Sequence, residues 1–236
     1  MLPTPILLPG NMCDARLWTA EVRVLLSGAL DADLTRDARI SAMAERALAT
    51  TNGQLLPVGF SMGAIVAVEM AVQAPERIVG LVLAGYNATA DLPERAAHRP
   101  VQQAEVRTGG LERVLVEELK PNYLATQNRE DSALLGLLRD MGMGLGEGVF
   151  VRQSEALRLR EDRRAAITAL DVPVLYMCGA DDTLCPPSWH QCWENLTPKA
   201  QFKEIAGAGH MLPLEAPGAF AATIEHWLIM NEKEFA

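Results

Sequence analysis

The chain has 236 residues, 49% of them apolar and 22% charged, enough apolar material for one large buried core. Its 30 Asp and Glu outnumber 21 Lys and Arg, for a net charge of −9, and no basic cluster interrupts that balance, so nucleic-acid binding is disfavoured. No apolar run is long enough to cross a bilayer, and the opening MLPTPILLPG has neither a basic region nor a small-residue cleavage site. A cytoplasmic protein with no membrane partner is expected.

In chain order, ILLPG near residue 6 reads as a buried strand. Residues 14–27 read as a helix with Leu17, Val24 and Leu25 among its apolar positions. A short strand near 29–34 and a helix over roughly 40–50 follow. LLPVGF (55–60) is the next strand. Pro57 inside it removes a ladder donor, so the strand should start or bulge there. A helix over 62–74 leads to IVGLVLAG (78–85), a wholly apolar strand. VPVLYMCG (172–179) and the more polar AQFKEIA (200–206) are further strands, and a helix over 215–230 closes the chain. Strands alternating with helices imply βαβ units, a parallel sheet and right-handed crossovers. Strands without polar alternation imply burial on both faces.

Between Asn87 and Leu170 the alternation stops. LERVLVEELK, SALLGLLRDM and VFVRQSEALRLREDRRAAI are helical patterns, punctuated by Pro100, Pro121 and the glycines of MGMGLGEG. The expected division is a core of residues 1–87 and 171–236, with 88–170 as a helical lid hinged at MGMGLGEG. The four cysteines, Cys13, Cys178, Cys185 and Cys192, form no C-x-x-C pair. Cys185, His190 and Cys192 match no familiar zinc spacing, so reduced thiols and no metal are expected.

Gly59-Phe60-Ser61-Met62-Gly63 lies where a buried strand must turn sharply into a helix. A side chain presented at such a turn strains its own backbone, and its neighbours two positions away must be small. Ser61 would then stand at a helix N-terminus, where the N–H of Met62 is free to stabilise an oxyanion. A serine hydroxyl needs a base. Of His98, His190, His210 and His226, only His210 follows a predicted strand directly, in EIAGAGHMLPLEAP, at the same sheet edge as Ser61. Asp181 and Asp182, just past VLYMCG, are candidates for the carboxylate that orients it. The second oxyanion donor is expected in LLPGNMCDARLW, from the N–H of Asn11 or, failing that, Met12.

Four blocks carry a family likeness: LLPGNMCDARLW, GFSMGAIVAVEMAVQAPERIVGLVLAG, VPVLYMCGADDTLCPP and GAGHMLPLEAPGAF. Over nearly its whole length the chain resembles the lid-bearing α/β-hydrolase superfamily. The likeness implies an α/β-hydrolase fold with a minimal, mostly parallel sheet of about six strands, starting at the third strand of the full fold. It picks Asp182 over Asp181 as the acid. Two departures stand out: Pro9-Gly10 where many relatives have His-Gly, and Ala64 where many have a third glycine. RQSEALRLREDRR resembles a lid ending of some bacterial members, with Arg152 and Gln153 as candidates to face the pocket. Met12, Tyr86, Met141, Met143, Phe150 and Met211 are candidates to line an apolar pocket.

The expected chemistry is cleavage of an ester, thioester or lactone of a small-molecule substrate. Ser61 is the nucleophile, His210 the base and Asp182 its orienter, with Asn11 and Met62 as oxyanion donors and no cofactor. The same fold used for C–C hydrolysis or elimination, and a non-catalytic ligand sensor, are the alternatives.

Overall fold

Alternate residues of the central strands enter two separate apolar cores, and this places the helices. The computed structural model describes residues 3–119 and 123–235, which leaves Pro121 outside the described residues. Six strands form one parallel sheet: β1 (Thr4–Leu8), β2 (Leu30–Asp31), β3 (Leu55–Phe60), β4 (Leu81–Ala84), β5 (Val174–Gly179) and β6 (Ala200–Ile205), in the order β2-β1-β3-β4-β5-β6. Ile6, Leu8, Leu81, Leu83, Val174 and Tyr176 point to one face. Leu7, Val58, Phe60, Val82, Leu175 and Met177 point to the other. A parallel strand apolar at every position is stable only when helices cover both faces.

Helices α2 (Ile40–Leu48) and α3 (Met62–Gln73) cover the first face. In α2 the buried Ile40, Met43, Ala44, Ala47 and Leu48 follow the spacing of a single helical stripe. Helix α3 is buried nearly all round, as its unbroken MGAIVAVEMA requires. Helix α1 (Ala20–Leu25) and the C-terminal helix cover the second face. The edge strand β6 carries the polar residues, with Lys203 and Glu204 exposed.

Several expected boundaries shift. The helix expected over 14–27 divides into a 3-10 turn, Ala15–Leu17, and α1, and Val24 is 78% exposed. The strand expected over 29–34 keeps only the two residues paired with Ile6 and Leu7. β4 begins at Leu81, because the ladder slips by one residue just before it. Leu55 pairs with Ile78, but Val58 pairs with Val82. The extra residue lies opposite Pro57, the one position of β3 with no N–H to give. Pro57 is thus accommodated by an extra residue in the segment that leads into β4.

The described residues between β4 and β5 contain no strand. They form α4 (Pro93–Glu105), α5 (Leu111–Arg113) with π-helical turns on either side, α6 (Ser132–Leu145), α7 (Glu147–Arg158) and α8 (Arg164–Thr168). Pro100 does not end α4; it sits exposed in the helix interior. The stretch MGMGLGEG is not a loose connector either. Gly142 and Gly144 lie within α6, and only Gly146, at φ +81°, breaks the path into α7. After β5 come α9 (Pro187–Leu196), β6, α10 (Leu212–Glu215) and α11 (Pro217–Met230). Among the described residues no helix is long and apolar enough to cross a membrane.

The tightest approach in the fold lies where α3 leaves β3. A Cβ at Gly63 would sit 1.9 Å from the Leu8 carbonyl oxygen, and one at Gly59 would sit 2.5 Å from the Gly63 carbonyl oxygen. Both are clashes with backbone that no rotamer can relieve. Gly63→Ala is therefore expected to lower the melting temperature steeply or abolish soluble expression. Gly136→Ala, in α6 with nothing within 4 Å of the new methyl, is expected to stabilise by about 0.5–1 kcal/mol. Paired thermal melts of the two variants check both signs.

Candidate active site

Ser61 sits on the strand-to-helix turn at φ +53°, ψ −114°, a left-handed conformation that costs about 1–3 kcal/mol for a residue with a side chain. Its N–H donates to the Ala84 carbonyl at 2.8 Å, tying the turn to the end of β4. Two further loops at the same sheet edge complete the arrangement. His210 follows β6, and its Nε2 lies 3.0 Å from Ser61 Oγ. Asp182 follows β5, and its Oδ2 lies 2.8 Å from His210 Nδ1. The other carboxylate oxygen of Asp182 accepts the N–H groups of Leu184 and Cys185 at 2.8 and 2.9 Å. Burial by itself would raise the Asp182 carboxyl. The adjoining His210 ring and these hydrogen bonds outweigh it and hold the group below the usual carboxylate range. Asp181, by contrast, is exposed.

The His210 loop is anchored by Glu215. Its two oxygens accept from the N–H of Gly209 at 2.9 Å and of Ala125 at 2.7 Å, and from Asn128 Nδ2 at 2.9 Å. The His210 N–H donates to the Tyr123 carbonyl at 2.7 Å. The Phe60 and Tyr123 rings flank the imidazole, with centroids at 5.2 and 5.7 Å.

The loop after β1 reaches over from the other side. Met12 takes the left-handed conformation, φ +53°. Its N–H donates to Gln153 Oε1 at 2.8 Å, and Asn11 Nδ2 donates to the same oxygen at 3.1 Å. Gln153 Nε2 in turn donates to the Leu34 carbonyl at 3.1 Å. Gln153 is 1% exposed, so it fastens this loop from behind and does not face the cavity. With the Met12 N–H occupied, the free backbone donors beside Ser61 are those of Asn11 and Met62. Among the described residues neither has an acceptor.

A cavity of about 570 Å³ stands over Asn11, Ser61, Met62 and His210. Its far wall is the helical insertion: Arg95, His98, Arg99 and Gln102 of α4, with Phe150, Ser154 and Leu157 of α7. Residues 6–223 match the alpha/beta hydrolase family. The chain belongs to that family.

The solved structure of a thermophilic esterase from Thermogutta terrifontis, described as malate bound, superposes with a TM-score of 0.89 at 25% identity, covering 100% of this chain and 92% of that one. A 2-succinyl-6-hydroxy-2,4-cyclohexadiene-1-carboxylate synthase from Enterobacter sp. (strain 638) is 32% identical over 182 residues, 75% of this chain and 67% of the synthase. The biotin biosynthesis bifunctional protein BioHC of Cellvibrio japonicus is 25% identical over 174 residues, 71% of this chain. The match spans only 34% of that longer protein.

In this α/β-hydrolase the apolar part of the cavity lining comes mostly from other residues than those expected, among them Ile65, Leu119, Leu157 and Leu184, while Met12 and Met211 border a small pocket that shares Asn11, Leu119 and Tyr123 with it. Of the residues expected there, only Phe150 lines the cavity. Met12 packs with Val106, Leu111 and Val114 of the insertion. Met141 and Met211 belong to the core on the second face of the sheet. Tyr86 is 1% exposed and stacks on Tyr176, centroids 6.0 Å apart. Met143 is partly exposed on α6 and does not border the cavity. Arg152 turns away, its Nε donating to the Thr35 carbonyl at 2.8 Å. The cavity-facing stripe of α4 is polar, at spacings of three, four and seven from Arg95.

RQSEALRLREDRR fastens the end of the insertion to the core at several points. Besides Arg152 and Gln153, Arg163 pairs with the buried Glu69 of α3 at 2.6 Å. Its N–H donates to the Ala88 carbonyl at 2.7 Å.

His190 is a site residue that the sequence reading passed over. It is 0% exposed on α9. Its Nε2 accepts the Tyr86 N–H at 2.9 Å, and its Nδ1 lies 3.2 Å from the Pro186 carbonyl. The ring is thus a neutral tautomer protonated on Nδ1, bridging the loop after β4 to the loop that carries Asp182. A second proton would oppose the Tyr86 N–H. Burial pushes the imidazole down to about 4, from an ordinary 6.5. Between those values the unfolded chain binds the proton and the folded one does not, so this stabilisation is complete above pH 6.5 and drains away as the pH falls toward 4. The loss amounts to about 3 kcal/mol. Urea unfolding from pH 7 down to pH 4 should show a steeper loss of stability in the wild type than in His190→Gln.

Proposed function

We propose that this α/β-hydrolase is a serine hydrolase that cleaves an ester, thioester or lactone of a small metabolite. The observation that carries the reading is the unbroken chain Ser61 Oγ, His210 Nε2, His210 Nδ1, Asp182 Oδ2 at the floor of the cavity, with links of 3.0 and 2.8 Å. His210 Nε2 takes the hydroxyl proton as Ser61 Oγ attacks the substrate carbonyl. Asp182 holds the ring with Nδ1–H toward itself and stabilises the imidazolium that forms. The N–H groups of Asn11 and Met62 meet the developing oxyanion. The tetrahedral intermediate collapses, His210 gives its proton to the leaving alcohol or thiol, and an acyl-Ser61 remains. Water, deprotonated by His210, then attacks the acyl carbonyl, Ser61 recovers its proton, and the free acid leaves. None of these steps calls for a cofactor.

The helical insertion acts as a lid over this chemistry, and it also takes part in positioning. Gln153 is a positioning residue: by accepting both the Met12 N–H and the Asn11 side chain, it holds the loop whose Asn11 N–H faces the oxyanion.

The relative named as a synthase supplies a second reading. A hydrogen-bonded serine and histidine of this kind also serve as the base of an elimination, which forms no acyl-enzyme. Rapid quenching followed by intact mass measurement separates the two, because only hydrolysis adds the acyl group to Ser61.

Treatment with a small fluorophosphonate should add one phosphonyl group to the wild type and none to Ser61→Ala or His210→Ala. Absence of that adduct on the wild type overturns the serine-nucleophile reading. Ester turnover by Ser61→Ala should fall by about 10⁴-fold or more in kcat. Gln153→Leu should lower kcat by about 10- to 100-fold with little change in KM, since a displaced donor matters mainly in the transition state. Steady-state kinetics on one activated ester measures both effects.

A further inference from the structure

Three arginines and two glutamates line the cavity, and the carboxylate of Asp91 lies beside them. Asp91, just before α4, is 9% exposed and is the carboxylate that the wall's arginines share. Its Oδ2 accepts Arg99 Nε at 2.6 Å, and its Oδ1 lies 2.9 Å from Arg160 Nη1. One carboxylate thus holds two guanidinium groups. Arg160 is 8% exposed and is tied further by Nε donating to the Thr89 carbonyl at 3.0 Å. Arg95, one helical turn before Arg99, also lines the cavity and is half-buried. Among the described residues Arg95 has no carboxylate partner.

Neither of the two glutamates that border the cavity is paired with Arg95 among the described residues. Glu118 is engaged by Arg113 at 2.6 Å, Gln102 at 2.8 Å and His98 at 3.2 Å. Glu94 is exposed in the first turn of α4. The cavity lining thus holds Arg95, Arg99 and Arg160 with Glu94 and Glu118, and of the three arginines Arg95 is the one with no carboxylate partner among the described residues. A guanidinium kept in a concave, half-buried wall with no carboxylate of its own is placed to take an anion. The planar, forked guanidinium is suited to a carboxylate, which it meets with two parallel hydrogen bonds. The wall also lies beside the reacting groups. Cys185, three residues past Asp182, borders the same cavity as Arg95 and Arg160.

We infer that the substrate of this enzyme carries a free carboxylate, which Arg95 binds while Ser61 attacks a carbonyl at the other end of the molecule. Arg99 and Arg160, held by Asp91, supply the positive field around that contact. The inference rests on the serine-hydrolase reading for what happens at Ser61, but not for the binding of the anion. A volume of about 570 Å³ lies within the ordinary range for small-metabolite sites and suits a short dicarboxylic monoester or a lactone acid.

The test uses monomethyl glutarate and the neutral methyl hexanoate as esters of similar length, with glutarate as a non-reacting ligand, on wild type and Arg95→Gln. Wild type is expected to prefer the anionic ester by about tenfold or more in kcat/KM, and Arg95→Gln to lose that preference. Calorimetric titration should show glutarate binding to wild type and weakened by about tenfold or more in Arg95→Gln. Hydrolysis of both esters without charge preference, with glutarate binding absent or unaffected by the substitution, overturns the inference and leaves the hydrolase reading standing. Glutarate binding that depends on Arg95, with neither ester turned over, supports the anion site and counts against hydrolysis. Neither binding nor turnover overturns both.

Discussion

Helix α3 leaves β3 so close to β1 that the Leu8 carbonyl occupies the space where a side chain at position 63 would begin. That approach sets the geometry of everything above it. With Gly59 and Gly63 letting backbone meet backbone, the intervening turn is forced into the left-handed conformation at Ser61, which lifts its hydroxyl out of the sheet edge. The same turn leaves the first N–H of α3, that of Met62, without an intrahelical partner. It also brings the loop after β1 alongside, so that Asn11 and Met62 both border the cavity. Strain at one residue is sustained because the sheet on either side of it is buried and cannot relax.

The remaining parts are held to that turn by polar tethers, and each tether comes from a different segment. Glu215 fastens the His210 loop to the chain at Ala125 and Asn128. His190 joins the loop after β4 to the one bearing Asp182. Gln153 reaches from α7 to the loop of Asn11 and Met12. The helical insertion therefore does more than enclose the cavity. Through Gln153 it holds the loop of Asn11 and Met12, and Arg95, Arg99 and Arg160 place charged side chains in the cavity wall. Arg163 and the buried Glu69 anchor the end of the insertion to α3, so the wall and the turn at Ser61 share a support.

Those tethers explain why the pocket was hard to foresee. Met12, Met211 and Tyr86 have the size and adaptability expected of a binding surface, but the cores claim them. The residues that do face the cavity from α4 look, in sequence, like the solvated side of an amphipathic helix. A polar stripe facing water and a polar stripe facing an enclosed, wet cavity have the same period. Only the position of the helix distinguishes them. Arg152 and Gln153 illustrate the same limit: both lie beside the site in sequence, and both are spent on backbone carbonyls or loop amides.

By itself the sequence determined the parallel sheet and the places where chemistry is possible. Unbroken apolar runs such as LLPVGF, IVGLVLAG and VPVLYMCG point to strands buried on both faces, and the glycines around Ser61 point to a crowded turn. Those are local requirements of burial and backbone sterics, so they are written into short stretches. Even Pro57 announced an irregularity at its position, although the extra residue that answers it is in the segment that leads into β4. Tertiary structure alone decided that Asp182, His210 and Ser61 lie within hydrogen-bond distance, that Gln153 buttresses a loop 141 residues away, and that two arginines share one buried aspartate. Such contacts join segments far apart in the chain, and their strength depends on burial and on which charges are already paired. No local pattern carries that information.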